Sequence, residues 1–284
     1  MSVFKDLMTK NMQLKGFSPR TQYKYLNSLK HFEAFFNSPA EALGQEEVRD
    51  FLHYLINEKK VSRSYTNGVY SGLKFFFDNT LARPWDLKQL PRIKKAKILP
   101  VVLSRDEIKR LLSVTTNLKF KSMFMIAYSA GLRLNVITHL QVSDIDSRQM
   151  QILVRSGKGN VDRFSLLSKV NLNMLREYWK LYRPSLWLFP GKIPGQPISN
   201  RAFQDAFEKA RSKSGINPRA TLHSLRHSFA THLLETGVDI VRIQQLMGHS
   251  RIGTTTLYLH LAQSRILQVK SPLDSLFEEE HHES

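Results

Sequence analysis

The chain has 284 residues, with 42 lysines and arginines against 24 aspartates and glutamates, giving a formal net charge of +18 and a pI near 10.1. Hydrophobic residues make up 42%, which rules out global disorder, and at roughly 100–200 residues per domain the length favours two domains. The absence of cysteine excludes disulfides, zinc ribbons, cysteine-ligated iron–sulfur sites and thiol nucleophiles, and fits a cytoplasmic protein. Neither a signal peptide nor a membrane span of roughly 18 apolar residues is expected, because charges interrupt the apolar runs.

The charge is spread along the chain. Residues 1–100 hold 17 basic and 9 acidic residues, a net of +8, and the remainder has a net of +10. Two folded basic modules sharing a polyanionic partner explain this distribution better than one basic tail, and nucleic acid is the leading partner.

In chain order, Ser18-Pro19 reads as an N-cap with proline at the first helical position, followed by Leu26, Leu29, Phe32 and Phe36 at steps of three and four. A second helix is expected over about 46–58, with Val48, Phe51, Leu52 and Leu55 inward. A third begins near Ser62 and carries Val69, Leu73 and Phe76, and the aromatic run Phe75-Phe76-Phe77 is read as core. Pro84, Pro91 and Pro100 then punctuate a stretch holding Arg92, Lys94, Lys95 and Lys97. Prolines stop helices and remove donors, so this is an extended basic linker, and its four cations are candidate DNA contacts. The expected layout is a helical domain over 1–90, a linker over 91–100 and a second domain over 101–284.

The second domain opens on a capping box, Ser104 with Glu107. An apolar helix is expected from Lys119 to Ala130, ending at Gly131. Two β-rich runs, 151–155 and 163–167, flank Ser156-Gly157-Lys158-Gly159-Asn160 and predict a hairpin. Asp144 and Asp146 are alternate residues in a turn before a strand and are read as structural, since a two-metal centre needs carboxylates converging from separate segments. The rest is helical, so the fold class is mainly α with a small β-hairpin in the second domain.

Four segments carry chemistry in combination: Gly131-Leu132-Arg133; Lys158 in the hairpin; His223-Ser224-Leu225-Arg226-His227 at a helix start; and Gly248-His249, with Thr254-Thr255-Thr256 and Tyr258 close behind. Residues three apart share a helix face, so His223 and Arg226 can address one point. Taken singly, each segment has an ordinary structural explanation.

With these residues in this order, the sequence resembles the tyrosine recombinase (phage integrase) family. The match comprises Arg133, Lys158, His223, Arg226, His249 and Tyr258, with the runs Leu222–Leu234 and Leu246–Ser250 around them. His249 follows Arg226 by 23 residues and Tyr258 follows His249 by 9. One position departs from the pattern: an acid usually follows the first arginine closely, and Val136 stands there instead.

The resemblance implies a two-domain, C-shaped clamp on double-stranded DNA, a homodimer on each site and a tetramer in synapsis. It leaves accessory proteins open. It implies Tyr258 as nucleophile forming a 3′-phosphotyrosine, Arg133 and Arg226 forking the phosphate oxygens, and His249 donating to the same group. Lys158 is the expected acid for the 5′-oxygen and His223 the expected base. No metal, ATP or other cofactor is expected. The segment after Tyr258 is expected to dock on a neighbouring protomer. Three other readings stand beside this one. They are a DNA-binding regulator, on the loose helix-turn-helix pattern of Thr231–Ser250 around Gly237; a type IB topoisomerase; and an integrase that binds but cuts poorly, on Val136 alone.

Overall fold

The computed structural model describes residues 3–85, 92, 99–155, 162–248, 255 and 258. The chain divides into two units, Met1–Ile98 and Leu99–Ser284.

The first unit is helical. Helix α1 spans Val3–Leu14, α2 Pro19–Phe36, α3 Gln45–Asn57 and α4 Arg63–Phe75. The expected caps form: the Ser18 hydroxyl accepts from the Thr21 amide and that of Ser62 from the Tyr65 amide. Leu29, Phe32, Val48, Phe51, Leu55, Val69 and Leu73 are buried, so each amphipathic stripe faces a common core. The aromatic run is core as expected, and Phe76–Thr80 continues α4 as a π-helical turn.

In the second unit the Ser104–Glu107 capping box opens α5, Arg105–Ser113. Helix α6, Leu118–Ser129, is buried nearly all round, as its unbroken hydrophobicity requires. The short α7, Leu134–Thr138, follows. Strands β2, Gln151–Val154, and β3, Arg163–Leu166, form the expected antiparallel hairpin in the register Val154 opposite Arg163. A third strand, β1 at Ile145–Asp146, pairs with β2 and completes a sheet of order β1-β2-β3. Asp146 thus lies on an edge strand where a turn was expected, because a two-residue strand has no alternation to read. Helices α8 (Lys169–Tyr182), α9 (Asn200–Ser214), α10 (Leu222–Glu235) and α11 (Ile240–Met247) complete the unit. Helix α10 packs on α6 and on α11, and α11 also meets β3. That packing gathers the site at the junction of α6, α10, α11 and β3. Among the described residues no helix is long and apolar enough to cross a membrane.

Candidate active site

The backbone leaving α6 sets the first arginine. Gly131 has φ +59°, and a Cβ there would collide with the Phe229 ring, so only glycine makes this turn. Two residues on, Arg133 occupies the N-cap position of α7, where the chain re-enters a helix. Arg133 is therefore more than a helix-end cation: the turn delivers it to the end of α11.

Arg226, on the second turn of α10, is only 4% exposed. Its Nη1 donates to the Gly131 carbonyl and its Nη2 donates to the Met247 carbonyl at 2.7 Å. Arg133 Nη2 donates to the Gly248 carbonyl at 3.4 Å. Arg163, from the hairpin end of β3, sends Nε to Leu246 O and Nη2 to Met247 O, both at 3.3 Å. Three guanidiniums thus converge on the last carbonyls of α11. Those carbonyls lack intrahelical partners and lie at the negative end of the helix dipole, which is what allows like charges to crowd there. The crowding has an electrostatic cost: burial and the neighbouring Arg133 charge lower Arg226 to about 9, still cationic at neutral pH. Burial also lowers Arg133, and burial with the Arg133 charge lowers Arg163. Gly248 caps α11 at φ +62°, and a Cβ on it would lie 2.6 Å from Arg163 Cζ.

Tyr258 is 2% exposed and packs with Phe229, Ala230, Ile243 and Met247. Its amide donates to the Thr255 carbonyl at 3.0 Å, and its hydroxyl lies 3.0 Å from His227 Nδ1. Burial raises the phenol's pKa, while the charges of Arg226 and Arg133 pull the other way. His223, on the first turn of α10 and open to solvent on one side, is lowered by desolvation and then by Arg226 and Arg133. His227 is lowered to about 4 by burial, His223 and Arg226.

Of the six residues expected to carry chemistry, Arg133, Arg226 and Tyr258 are brought to the end of α11, and His223 stands on α10 one turn before Arg226. Lys158 and His249 lie outside the described residues, as do Lys94, Lys95, Lys97 and the segment after Tyr258. Arg92 is exposed, donates to Ser71 Oγ at 2.9 Å and lies over the Tyr70 ring. The aspartates are structural, as expected. Asp144 accepts from the Gln141 amide and from Arg155 Nε at 2.6 Å, while Asp146 accepts from the amides of Arg148 and Gln149. Among the described residues no cluster of three potential metal ligands occurs.

Two site residues were missed from the sequence, His227 and Arg163. His227 carried a signal, since it lies four residues after His223 and shares its helix face. Arg163 carried none; a charged residue opening a strand reads as solvent-facing.

Comparison with known proteins gives the family and the fold. Residues 101–265 match the phage integrase family, and residues 4–87 match the phage integrase N-terminal SAM-like domain. The chain is 39% identical to the putative integrase/recombinase y4qK of Sinorhizobium fredii, covering 97% of this chain and 90% of that protein. It is 35% identical to the tyrosine recombinase XerA of Pyrococcus horikoshii over 87% of this chain and 85% of that one. In fold it is similar to lambda integrase, solved as a tetramer bound to a Holliday junction, with a TM-score of 0.71, 19% identity and coverage of 90% and 76%. These matches, in a mainly helical chain of two units, are those of a tyrosine recombinase. The chain belongs to the phage integrase family.

Proposed function

We propose that this protein is a site-specific recombinase that cuts and rejoins DNA through a 3′-phosphotyrosine on Tyr258. The observation that carries this reading is that Tyr258 shares a buried cluster with Met247, at the helix end where Arg226 and Arg133 donate to the Met247 and Gly248 carbonyls. Two forked cations bind and neutralise a phosphodiester, and a phenol beside them is a nucleophile for its phosphorus.

In this reading Arg133 and Arg226 grip the non-bridging oxygens, with His249 donating a further hydrogen bond. The phenol oxygen attacks phosphorus, an imidazole of α10 takes its proton, and Lys158 protonates the departing 5′-oxygen. The phosphodiester's bond energy is kept in the phosphotyrosine, so a 5′-hydroxyl from a partner strand reverses the step without ATP. Side-chain cations supply the charge that a metal provides elsewhere. Val136 is half-buried against the main core of the second unit, so this chain uses the family's acidic position for apolar contact, while Arg133 takes a main-chain carbonyl.

Arg92, Lys94, Lys95 and Lys97 contact DNA phosphates in this scheme. The lambda integrase neighbour forms a tetramer on a four-way junction, which supports a dimer on each site and a tetramer in synapsis here. A DNA-binding regulator would have no use for a buried tyrosine among arginines.

Denaturing capture of protein–DNA adducts tests the reading. Wild type and Tyr258→Phe are incubated with fragmented host and mobile-element DNA, with chelator and without ATP. Adducts are expected with wild type only, sharing one sequence at the attached 3′ end. Adducts from Tyr258→Phe would remove the nucleophile assignment, and binding without adducts from either protein would favour a regulator.

A further inference from the structure

A phenol cannot attack phosphorus productively while it keeps its proton, so the identity of the group that removes it matters. Two histidines on α10 are candidates, one helical turn apart. His227 Nδ1 lies 3.0 Å from the Tyr258 oxygen, with the ring centroids 5.8 Å apart and the planes inclined at 47°. We propose that His227 is the general base for Tyr258, holding the phenol by accepting its O–H hydrogen bond and then taking the proton as the oxygen attacks. This rests on the reading of Tyr258 as nucleophile.

To accept at Nδ1, the ring must be neutral and carry its hydrogen on Nε2. The surroundings enforce neutrality. His227 is half-buried, and among the described residues the ionisable groups facing it are His223 and Arg226 on its own helix and Tyr258 across from it. Desolvation, the neighbouring His223 and the Arg226 charge all oppose a second proton, so the ring stands ready as an acceptor throughout the neutral range. Burial holds the proton on Tyr258, while the Arg226 and Arg133 charges favour its loss. A phosphodiester bound between the two arginines presents phosphorus to take the phenol's electron pair as the proton leaves, so the base acts with its target in place.

The step balances. The Tyr258 O–H bond breaks and its proton moves to Nδ1. The freed pair forms the oxygen–phosphorus bond, the bond from phosphorus to the 5′-oxygen breaks with its pair, and Lys158 supplies that oxygen's proton. On rejoining, His227 returns the proton to the departing phenolate. Nothing is oxidised or reduced.

The test is single-turnover cleavage of the duplex recovered by adduct capture, with His227→Ala, His227→Asn and His223→Ala in the full chain. Asparagine can hold the Tyr258 hydroxyl but cannot take its proton. Both His227 variants should cleave roughly 10²- to 10⁴-fold more slowly, the range for loss of a general base, with DNA affinity within about threefold of wild type. Added free imidazole should restore part of the His227→Ala rate in proportion to its unprotonated concentration, and should do nothing for His223→Ala. His227→Asn cleaving at the wild-type rate would reduce His227 to an orienting contact and overturn the assignment. So would a slow His227→Ala that imidazole leaves unchanged, or rescue of His223→Ala instead. Should wild type form no adduct through Tyr258, the nucleophile reading itself falls, a result distinct from any of these.

Discussion

The Arg226 guanidinium donates to the Met247 carbonyl at 2.7 Å, tying the middle of the site to the end of α11, while its other arm reaches the Gly131 carbonyl just past α6. One buried side chain therefore fixes both the turn that presents Arg133 and the helix end that leads into His249. Lysine has the charge but a single donor centre, and cannot bridge two carbonyls set apart in this way. Arg226→Lys is expected to lower single-turnover cleavage by about 10²-fold or more, with non-specific DNA affinity within a few-fold of wild type. A rate within threefold of wild type would show that charge alone suffices.

Two glycines make a paired test of backbone demands. Gly131→Ala meets both a left-handed φ and the Phe229 ring, and should destabilise the chain by about 2–4 kcal/mol in denaturant unfolding. Gly68 sits exposed inside α4 with open space where a Cβ would go, so Gly68→Ala should stabilise by about 0.5–1 kcal/mol.

Stability should fall as the solution is acidified through the histidine range. His227 binds a proton near its ordinary 6.5 when unfolded but only near 4 when folded. Between those values the unfolded chain holds more protons, so the unfolding free energy declines as pH drops from about 6.5 towards 4. His223 and His232, both lowered, act in the same sense. Chemical denaturation across pH 4–8 should show this slope, and His227→Asn should make it shallower.

Asp144 is 2% exposed and satisfies both the Gln141 amide and Arg155 at the root of the hairpin that carries Lys158. Asp144→Ala leaves that amide without its acceptor and should cost about 2–3 kcal/mol. If this aspartate held a catalytic metal instead, chelator would reproduce the loss in wild type; it is expected to have no effect.

DNA affinity should be steeply salt-dependent, since phosphate contacts release counterions. Replacing Lys94, Lys95 and Lys97 by alanine should reduce the slope of log affinity against log salt by about 0.9 for each phosphate contact removed. An unchanged slope would place those lysines away from the backbone.

The helix starts at Ser18, Ser62 and Ser104, the inward stripes and the β2–β3 hairpin were all legible in the sequence, because capping and periodicity are local rules that a few neighbouring residues settle. Membership of the phage integrase family was legible too, from the ordered series Arg133, His223, Arg226 and Tyr258. The partners of those side chains were not. Tyr258 meets His227 from 31 residues away, Arg226 finds Gly131 across 95, and Arg163 reaches Leu246 and Met247 across 83 and 84. A buried cation or hydroxyl must find a partner, and sequence states that need without naming what meets it. The packing of α10 against α6 and α11 decides which carbonyls and which imidazole come within reach, and so which histidine meets the Tyr258 hydroxyl.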